Sequence, residues 1–318
     1  MNLSFAPMDG VTGAIYRRVH RKHFTGADRY YAPFIAPDAQ GTFKLSHLRD
    51  VLPDNNLDIP LVPQILTNSA EAFLTVARKL QELGYEEVNL NAGCPSGTVV
   101  AKHKGAGMLS DLRSLDDFLA DVYSRTPVKV SVKTRMGIKS TDEFEKILEI
   151  YNKYPISELT VHARHREGQY KSEVDVDGFE KAFRASKNPL AYNGDVFTVN
   201  DMETLKTRFP TLESAMIGRG AAANPAIFRM IKGGSPLTRA EAADFHAELL
   251  EETLATGMSG AFAAARMKEL WFYMIHLFPD SAKEYKTLNK TRTLDDYKSA
   301  AKTILTACDF DGTAGFMG

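Results

Sequence analysis

The strongest constraint on the fold is the alternation of short β-branched runs with longer amphipathic segments over residues 1–236. Such alternation predicts strands that are joined by helices and that form a parallel sheet. The predicted strands, eight in all, lie near residues 2–7, 29–35, 60–66, 86–91, 127–134, 157–162, 189–193 and 213–217. Eight strand–helix units of this total length are typical of a (β/α)8 barrel, the TIM-barrel fold.

One connecting segment shows the helical pattern clearly. Over residues 68–84, apolar residues recur at intervals of three and four, which predicts an amphipathic helix. Asn68 with Glu71 three residues later predicts a capping box at the start of this helix, and Gly84 predicts its end.

The pattern changes after residue 236. Beyond it no run predicts a strand, and the periodicity indicates helices near residues 238–256, 259–278, 280–288 and 294–307, with a loose tail over 311–318. We therefore expect two domains, a barrel over residues 1–236 and a small all-α domain over residues 237–318.

Charge and cysteine content bear on partners and location. The chain has 39 Lys and Arg against 40 Asp and Glu, a net charge of −1, so a nucleic acid could be met only by a local basic patch. Its 2 cysteines cannot form a disulfide framework. No apolar run approaches the roughly 18 residues of a membrane span, and no basic segment precedes an apolar stretch at the N-terminus. We expect a cytoplasmic protein.

Polar residues stand at the carboxyl ends of six successive predicted strands, where TIM barrels bind their ligands. Residues two apart on a strand share a face, so Lys133 lies with Arg135, and His162 with Arg164. Cys94 follows the fourth strand on a loop. These positions predict a ligand site formed by Gln64, Asn91, Cys94, Lys133, Arg135, His162, Arg164, Asn193, Gly194, Asp195, Gly218 and Arg219.

Two glycine turns in this set favour a phosphate. Gly194 and the turn at residues 218–220 let backbone N–H groups approach an anion, and the loops after the last two strands are the usual phosphate site of a barrel. For either turn alone, a glycine that simply ends a strand is an equal alternative. Residues 218–223 also fit G-x-G-x-x-A, but no βαβ unit with a ribose-binding acid follows, so we discount a dinucleotide fold.

Three side chains of the rim are candidates for chemistry. Lys133 could contact an anionic ligand, form a Schiff base if burial lowers its pKa, or be a solvated lysine. His162 could be an acid or base, a donor to a ring oxygen, or a core histidine. No further ligands complete a metal site around it, so we expect no metal. An ordinary cysteine has a pKa of about 8.5 and is mainly a thiol at neutral pH, so Cys94 could donate a proton.

Seven short motifs follow one another along the predicted barrel. They are Ala6–Thr12, Asn89–Pro95, Gly105–Leu109, Val132–Gly137, His162–Arg164, Asn193–Asp195 and Met216–Gly220. Each is modest, but the ordered set resembles the tRNA-dihydrouridine synthase family. The resemblance implies an FMN-dependent enzyme, with a barrel and a small helical domain, that reduces uridines in tRNA.

The resemblance also implies roles for individual residues. Pro7, Met8 and Asp9 would line one side of FMN, with Gln64, Lys133 and His162 near its ring or ribityl chain. The phosphate end of FMN would be held by Asn193, Gly194, Asp195, Gly218 and Arg219. NADPH would reduce the flavin, which would pass a hydride to C6 of a uracil while Cys94 protonates C5.

For the RNA, the resemblance implies a uridine flipped out of the folded tRNA and held by Asn91, Arg135 and Arg164. The C-terminal helices would grip the tRNA, although residues 237–318 carry 9 basic against 12 acidic residues and residues 1–236 carry 30 against 28. Local basic clusters lie at residues 17–22 and 283–292, and a solvated helix face is an equal alternative for each. The candidate contacts in the second cluster are Lys286, Lys290 and Arg292. We expect a monomer.

Two positions depart from the family pattern and three other functions stay open. Tyr192 stands where the family usually has a small residue, and His165 replaces a common threonine. The alternatives are an FMN-dependent reductase of a free pyrimidine-like molecule, a Schiff-base lyase that uses Lys133, and a tRNA-binding protein without catalysis.

Overall fold

The computed structural model describes residues 1–317, and its nine strands form one sheet. The strands are β1 (Asn2–Phe5), β2 (Arg29–Tyr31), β3 (Leu61–Val62), β4 (Gln64–Ile65), β5 (Glu87–Ala92), β6 (Lys129–Arg135), β7 (Leu159–His162), β8 (Leu190–Asn193) and β9 (Ser214–Ile217). Their order is β3-β2-β1-β9-β8-β7-β6-β5-β4. The two outermost strands, β3 and β4, are consecutive in the chain, so the sheet closes into a barrel. The predicted barrel fold is confirmed.

The third predicted strand is divided in two by Pro63. Residues 61–62 pair in parallel with β2, and residues 64–65 pair with β5 on the other side. Proline has no N–H to donate to a sheet, but the carbonyl of Pro63 accepts a hydrogen bond from the N–H of Asn89 at 2.8 Å. Residues 61–65 therefore close the barrel, with β3 paired to β2 on one side, β4 paired to β5 on the other, and Pro63 between them. The other seven predicted strands form where expected.

The helices are α1 (Ala14–His23), α2 (Leu45–Val51), α3 (Ala70–Glu82), α4 (Gly97–Val100), α5 (Leu112–Arg125), α6 (Phe144–Tyr151), α7 (Val176–Ala185), α8 (Val199–Arg208), α9 (Arg219–Ala223), α10 (Ile227–Ile231), α11 (Arg239–Ala255), α12 (Gly260–Met274), α13 (Ala282–Lys290) and α14 (Leu294–Ala307). Short 3-10 helices cover Pro53–Asn55, Gly105–Ser110, Thr141–Glu143 and Ile275–Leu277. The four helices predicted after residue 236 are present, and within residues 1–317 no strand follows β9.

The start of α3 differs from the sequence prediction. Its N-cap is Ser69, whose hydroxyl oxygen accepts from the N–H of Ala72 at 3.3 Å. The predicted capping box of Asn68 and Glu71 is therefore wrong, because Asn68 lies one residue too early and its amide donates instead to the carbonyl of Lys102 at 3.2 Å. Gly84 follows the helix with a positive φ of 93°, as the prediction of the helix end requires.

The chain divides into two compact units. The first comprises Met1–Pro7, Arg29–Gly194 and Pro210–Met216, and holds the barrel strands, except the last residue of β9, with helices α2–α7. The second comprises Met8–Asp28, Asp195–Phe209 and residues from Ile217 onward, and holds α1 and α8–α14. The domain boundary near residue 236, which marks where strands stop along the chain, stays a prediction.

Each unit has its own core. In the first, one buried cluster joins Ala6, Tyr31, Val62 and Met216 from four strands or their ends. In the second, helices α11, α12 and α14 meet at a group of polar aromatic side chains whose hydrogen bonds satisfy one another, as buried polar groups require. There the indole N–H of Trp271 donates to the hydroxyl oxygen of Tyr297 at 2.9 Å, which lies 2.6 Å from Nε2 of His246.

Membrane-spanning helices need about 20 apolar residues in succession, and no helix within residues 1–317 meets that requirement. The cytoplasmic location and the monomeric state stay predictions.

Candidate active site

The carboxyl ends of the barrel strands bring predicted site residues of the first unit together. In the parallel register, Asn91 on β5 is opposite Lys133 on β6, and Arg135 on β6 is opposite His162 on β7. His162 in turn is opposite Asn193 on β8. Since all these strands run in one direction, the side chains stand on one rim of the barrel. The prediction that strand-end residues lie close together holds for this set.

A chain of buried hydrogen bonds joins polar side chains of the neighbouring strands β4, β5 and β6 at this rim. The amide nitrogen of Asn91 donates to Oε1 of Gln64 at 2.7 Å, and that of Gln64 donates to Oδ1 of Asn89 at 2.7 Å. The amide of Asn89 then donates to the hydroxyl of Ser131 at 2.9 Å. Asn89 and Ser131 were not predicted as site residues, although each lies two positions before one and therefore shares its face. The network fixes the orientation of Gln64 and Asn91.

The side-chain oxygen of Asn91 holds the loop that carries Cys94. Oδ1 of Asn91 accepts from the backbone N–H of Gly93 at 3.1 Å and of Cys94 at 2.9 Å. The carbonyl of Cys94 accepts from the N–H of Ala106 at 3.0 Å. Gly105 has a φ of +57°, and a Cβ there would lie 2.9 Å from Cβ of Cys94. The backbone on both sides of the partly buried thiol is thus fixed.

Arg135 joins this loop to the loop after β7. Its guanidinium donates to the carbonyl of Gly93 at 3.1 Å, of His165 at 3.1 Å and of Gln169 at 2.8 Å. The guanidinium carbon also lies 5.4 Å from the centre of the Tyr170 ring. Burial, only partly offset by Tyr170, lowers the pKa of Arg135 to about 10. The structure therefore gives Arg135 a positioning role, and its contact with a base stays a prediction.

Lys133 lies on the rim and has a strongly lowered pKa. Burial, with a smaller contribution from the nearby positive charge of Arg135, lowers the pKa of Lys133 to about 7, although Cys94 acts in the opposite direction. A lysine with this pKa is a charged ammonium in only part of the molecules at neutral pH and a neutral amine in the rest. It suits either a ligand that supplies negative charge or the amine chemistry of a Schiff base.

His162 and Arg164, at the end of the neighbouring strand β7, form a hydrogen-bonded pair. Nη1 of Arg164 lies 3.2 Å from Nε2 of His162. Because a guanidinium only donates, this ring nitrogen is the acceptor, which leaves the proton of a neutral imidazole on Nδ1. Nε of Arg164 donates to the carbonyl of Ser172 at 2.7 Å, and the ring of Tyr170 lies 5.8 Å from that of His162. Arg164 is therefore held in place beside the imidazole.

At the end of β8, two predicted phosphate residues are shaped by their neighbours. The amide nitrogen of Asn193 donates to the carbonyl of Met216 at 2.8 Å. Gly194 is needed for steric reasons, since a Cβ there would lie 2.3 Å from the hydroxyl oxygen of Tyr192. The Tyr192 ring is buried and packs edge-on against Phe179 with centroids 4.9 Å apart. A side chain at position 194 would therefore require the buried ring of Tyr192 to move.

The second unit holds the remaining predicted phosphate residues. Nη2 of Arg219 forms an ion pair with Oδ1 of Asp195 at 2.6 Å. Gly218 is the N-cap of the short helix α9, whose first residue is Arg219. A Cβ on Gly220 would lie 2.2 Å from the carbonyl oxygen of Val196, so the two chain segments touch at the backbone.

Met8 and Asp9 open a turn in the second unit, whereas Pro7 ends the first segment of the barrel unit. The carbonyl of Met8 accepts from the N–H of Val11 at 3.0 Å, and the N–H of Met8 donates to the hydroxyl of Thr12 at 2.8 Å. These bonds fix the backbone of the turn.

The comparison with protein families decides the relationship. The model of the family described as "Dihydrouridine synthase (Dus)" matches residues 4–307. The chain belongs to the dihydrouridine synthase family. Forming dihydrouridine from uridine reduces a carbon–carbon double bond, so this is a family of oxidoreductases, as the motifs predicted.

Individual relatives agree with this family. A tRNA-dihydrouridine(20/20a) synthase of Vibrio parahaemolyticus is 29% identical over 237 residues, which cover 70% of each chain. A tRNA-dihydrouridine(16) synthase of the same organism is 25% identical over 247 residues, covering 75% of this chain and 76% of that one. Among solved structures, morphinone reductase in complex with tetrahydroNAD has a TM-score of 0.52 at 10% identity, covering 74% of this chain and 88% of the other. At that identity the likeness shows the barrel fold alone.

His165, which the sequence analysis singled out, helps to hold the loop after β7. Its Nδ1 accepts from the backbone N–H of Gly168 at 3.2 Å, and its carbonyl is one of the acceptors of Arg135. A threonine has no ring nitrogen to accept the first of these bonds. The His165 side chain therefore stabilises the loop after β7 through its contact with Gly168.

The two predicted basic clusters differ in their surroundings. On α1, Arg18 pairs with Glu252 at 2.5 Å and Lys22 with Glu248 at 2.7 Å, both on α11. On α13 and just after it, Lys286, Lys290 and Arg292 are exposed. None of the three forms an ion pair within residues 1–317.

Within residues 1–317, no three His, Cys, Asp or Glu side chains lie close enough together to hold a metal ion.

Proposed function

We propose that this dihydrouridine synthase reduces the C5–C6 double bond of uridines in tRNA. The observation that carries the proposal is the placement of Lys133 and His162 at the carboxyl ends of neighbouring strands, with Cys94 close enough to affect the pKa of Lys133, in a chain whose family match runs from residue 4 to residue 307. The names of its relatives supply the substrate class, since both act on tRNA.

The donor set of the rim fits a flavin. A flavin ring presents carbonyl oxygens and ring nitrogens along one edge, and Lys133, His162 and the amide of Gln64 are groups that can donate to them. Burial lowers the pKa of Lys133 to about 7, and an electron-rich flavin edge beside it would favour its charged form. We propose that these residues, with Pro7, Met8 and Asp9, hold the ring and ribityl chain of FMN. The phosphate end is proposed to bind Asn193, Gly194, Asp195, Gly218 and Arg219.

FMN held by these residues would, once reduced by NADPH, provide the hydride for C6 of the uracil. Cys94 supplies the proton to C5, so that two hydrogens are added across the double bond and the thiolate is reprotonated from solvent. The hydrogen bonds that Oδ1 of Asn91 accepts from the backbone N–H groups of Gly93 and Cys94 give this proton donor a fixed position, which is what general acid catalysis requires. We propose that Asn91, Arg135 and Arg164 contact the base.

The RNA must deliver its uridine in an extruded form, because a stacked base cannot reach a group inside the barrel mouth. We propose that Lys286, Lys290 and Arg292 contact tRNA phosphates. These residues position the RNA without reading its sequence.

The test separates the acid from the cofactor. In the variant Cys94→Ala, we expect FMN content and flavin reduction by NADPH to match the wild type while dihydrouridine formation falls by at least about a hundredfold, as for the loss of a general acid. The matched control is Cys308→Ala, which removes the other cysteine and should leave all three measurements unchanged. Loss of FMN with normal residual turnover would contradict the role of Cys94.

One observation favours a second candidate, a Schiff-base lyase. Lysines that form imines need a lowered pKa, and the pKa of Lys133 is about 7. A purified protein without a flavin spectrum that is trapped covalently by borohydride and a carbonyl substrate would support this candidate over the reductase.

A further inference from the structure

The C-terminal tail, residues 309–317, is bound along the second unit instead of forming the loose tail that the sequence suggested. The amide nitrogen of Asn224 donates to the carbonyl of Gly312 at 2.9 Å and of Ala314 at 3.1 Å. The N–H of Asp311 donates to the carbonyl of Leu277 at 2.9 Å. Hydrogen bonds to the backbone at three positions fix the path of the tail. Residue 318 lies outside the described residues.

Two glycines let the tail approach its neighbours at van der Waals distance. A Cβ on Gly312 would lie 1.8 Å from the carbonyl oxygen of Leu237, and one on Gly315 would lie 2.4 Å from that of Phe197. No side chain fits at either position. The approach at Gly315 brings the next residue, Phe316, to the segment that follows Asp195.

Phe316 is buried at the end of this path, with 5% of its surface exposed. Its ring centre lies 5.3 Å from the guanidinium carbon of Arg219, and the ring of Phe197 lies 5.2 Å from the same carbon. The surrounding rings of the second unit, with centroids 4.9 to 5.9 Å from that of Phe316, are Phe197, Phe272, Tyr273 and His276.

Arg219 is therefore restrained by three different groups. Two aromatic rings contact the planar guanidinium, and Asp195 binds its Nη2 at 2.6 Å. A guanidinium binds a phosphate through donors in a fixed plane, so the orientation of that plane decides how well the donors meet the anion. Of the two rings, that of Phe316 comes from a residue 97 positions further along the chain than Arg219.

We propose that Phe316 is a positioning residue that orients Arg219 for the phosphate group of the flavin nucleotide. The inference rests on the proposed function, because it takes the ligand of Arg219 to be the phosphate of FMN. The tail would then contribute to the affinity for a phosphorylated flavin without touching the flavin itself. Riboflavin, which has the same ring and ribityl chain but no phosphate, is the ligand that separates this effect from a general loss of structure.

The experiment compares FMN and riboflavin binding to the full-length protein by quenching of flavin fluorescence. Phe316→Leu keeps apolar volume and removes the ring face. We expect its Kd for FMN to rise about tenfold, in the range of a lost cation–aromatic contact, while the Kd for riboflavin changes less than about twofold. Phe316→Tyr keeps a ring and should restore the wild-type Kd for FMN. Met317→Ala alters the neighbouring, 74% exposed side chain and should change neither value.

A double-mutant cycle identifies the partner. With Arg219→Lys, which removes the planar guanidinium, Phe316→Leu should have no further effect on the ratio of the two Kd values. Equal weakening of FMN and riboflavin, or an unchanged ratio in Phe316→Leu, would overturn the positioning role while leaving the proposed function intact. A wild-type protein that binds neither flavin would overturn both.

Discussion

The lowered pKa of Lys133 predicts a specific dependence of stability on pH. The pKa is about 7 in the folded protein and 10.5 for an ordinary lysine. Between these values the unfolded chain holds a proton that the folded chain does not, so the folding stability due to Lys133 rises as the pH increases from 7 to 10.5. Below pH 7 both states are protonated, and the full cost of the buried charge, roughly 5 kcal/mol from the two pKa values, is present.

The perturbation is Lys133→Met, which keeps an unbranched side chain and removes the charge. At pH 9 the remaining cost of Lys133 is roughly 2 kcal/mol by the same relation, so the advantage of the methionine variant should shrink by up to roughly 3 kcal/mol from pH 6 to pH 9. Since Lys133 as a residue is only half-buried, we discount this figure for solvent screening and expect a measured change of about 1 to 3 kcal/mol.

The assay is urea unfolding of flavin-free protein at pH 6 and pH 9, with wild type and variant compared at each pH so that other titrating groups cancel. Lys129→Met is the matched control, because Lys129 lies at the exposed start of the same strand. Its stability relative to wild type should be independent of pH. If the free energies of unfolding of Lys133→Met and wild type differ by the same amount at both pH values, burial of the Lys133 charge does not cost stability and the reasoning is refuted.

Two further changes test the loop and the RNA surface. Gly105→Ala should cost about 1 kcal/mol of stability for its left-handed backbone and, by moving Cys94, should reduce dihydrouridine formation while the FMN content measured by absorbance stays constant. The double variant Lys286→Glu and Lys290→Glu should weaken tRNA binding about tenfold at low salt without changing NADPH oxidation, whereas reversing two exposed lysines of α14, at positions 298 and 302, should change it less. Equal effects of the two double variants in a filter-binding assay would argue against a specific surface on α13.

The barrel could be predicted because period-two strands and amphipathic helices are local properties of the sequence. Its one error of strand number lies at Pro63, where the sequence already carried the cause, since proline cannot donate within a sheet. The cap of α3 was less accessible. Asn68 and Ser69 are both good N-caps, and the choice between them depends on the contact of Asn68 with Lys102, which is a tertiary contact.

The candidate site divides in the same way. The strand-end side chains could be predicted because a barrel places all carboxyl ends on one rim. The groups that hold them could not, because their partners are carbonyls and rings distant in the sequence. Nothing near Arg135 in the chain indicates that it binds the carbonyl of Gln169, and nothing near Arg219 indicates a contact with Phe316.

The distribution of positive charge decides where an RNA contact can arise in a chain with a net charge of −1. On α1, Arg18 and Lys22 already bind carboxylates of α11, and a phosphate would have to displace those partners. On α13, Lys283, Lys286 and Lys290 lie at intervals of three and four, which places them on one face of the helix. They are exposed and form no ion pair within residues 1–317. A phosphate gains the attraction of these lysines without breaking another ion pair, so the salt dependence of tRNA binding should originate mainly from α13.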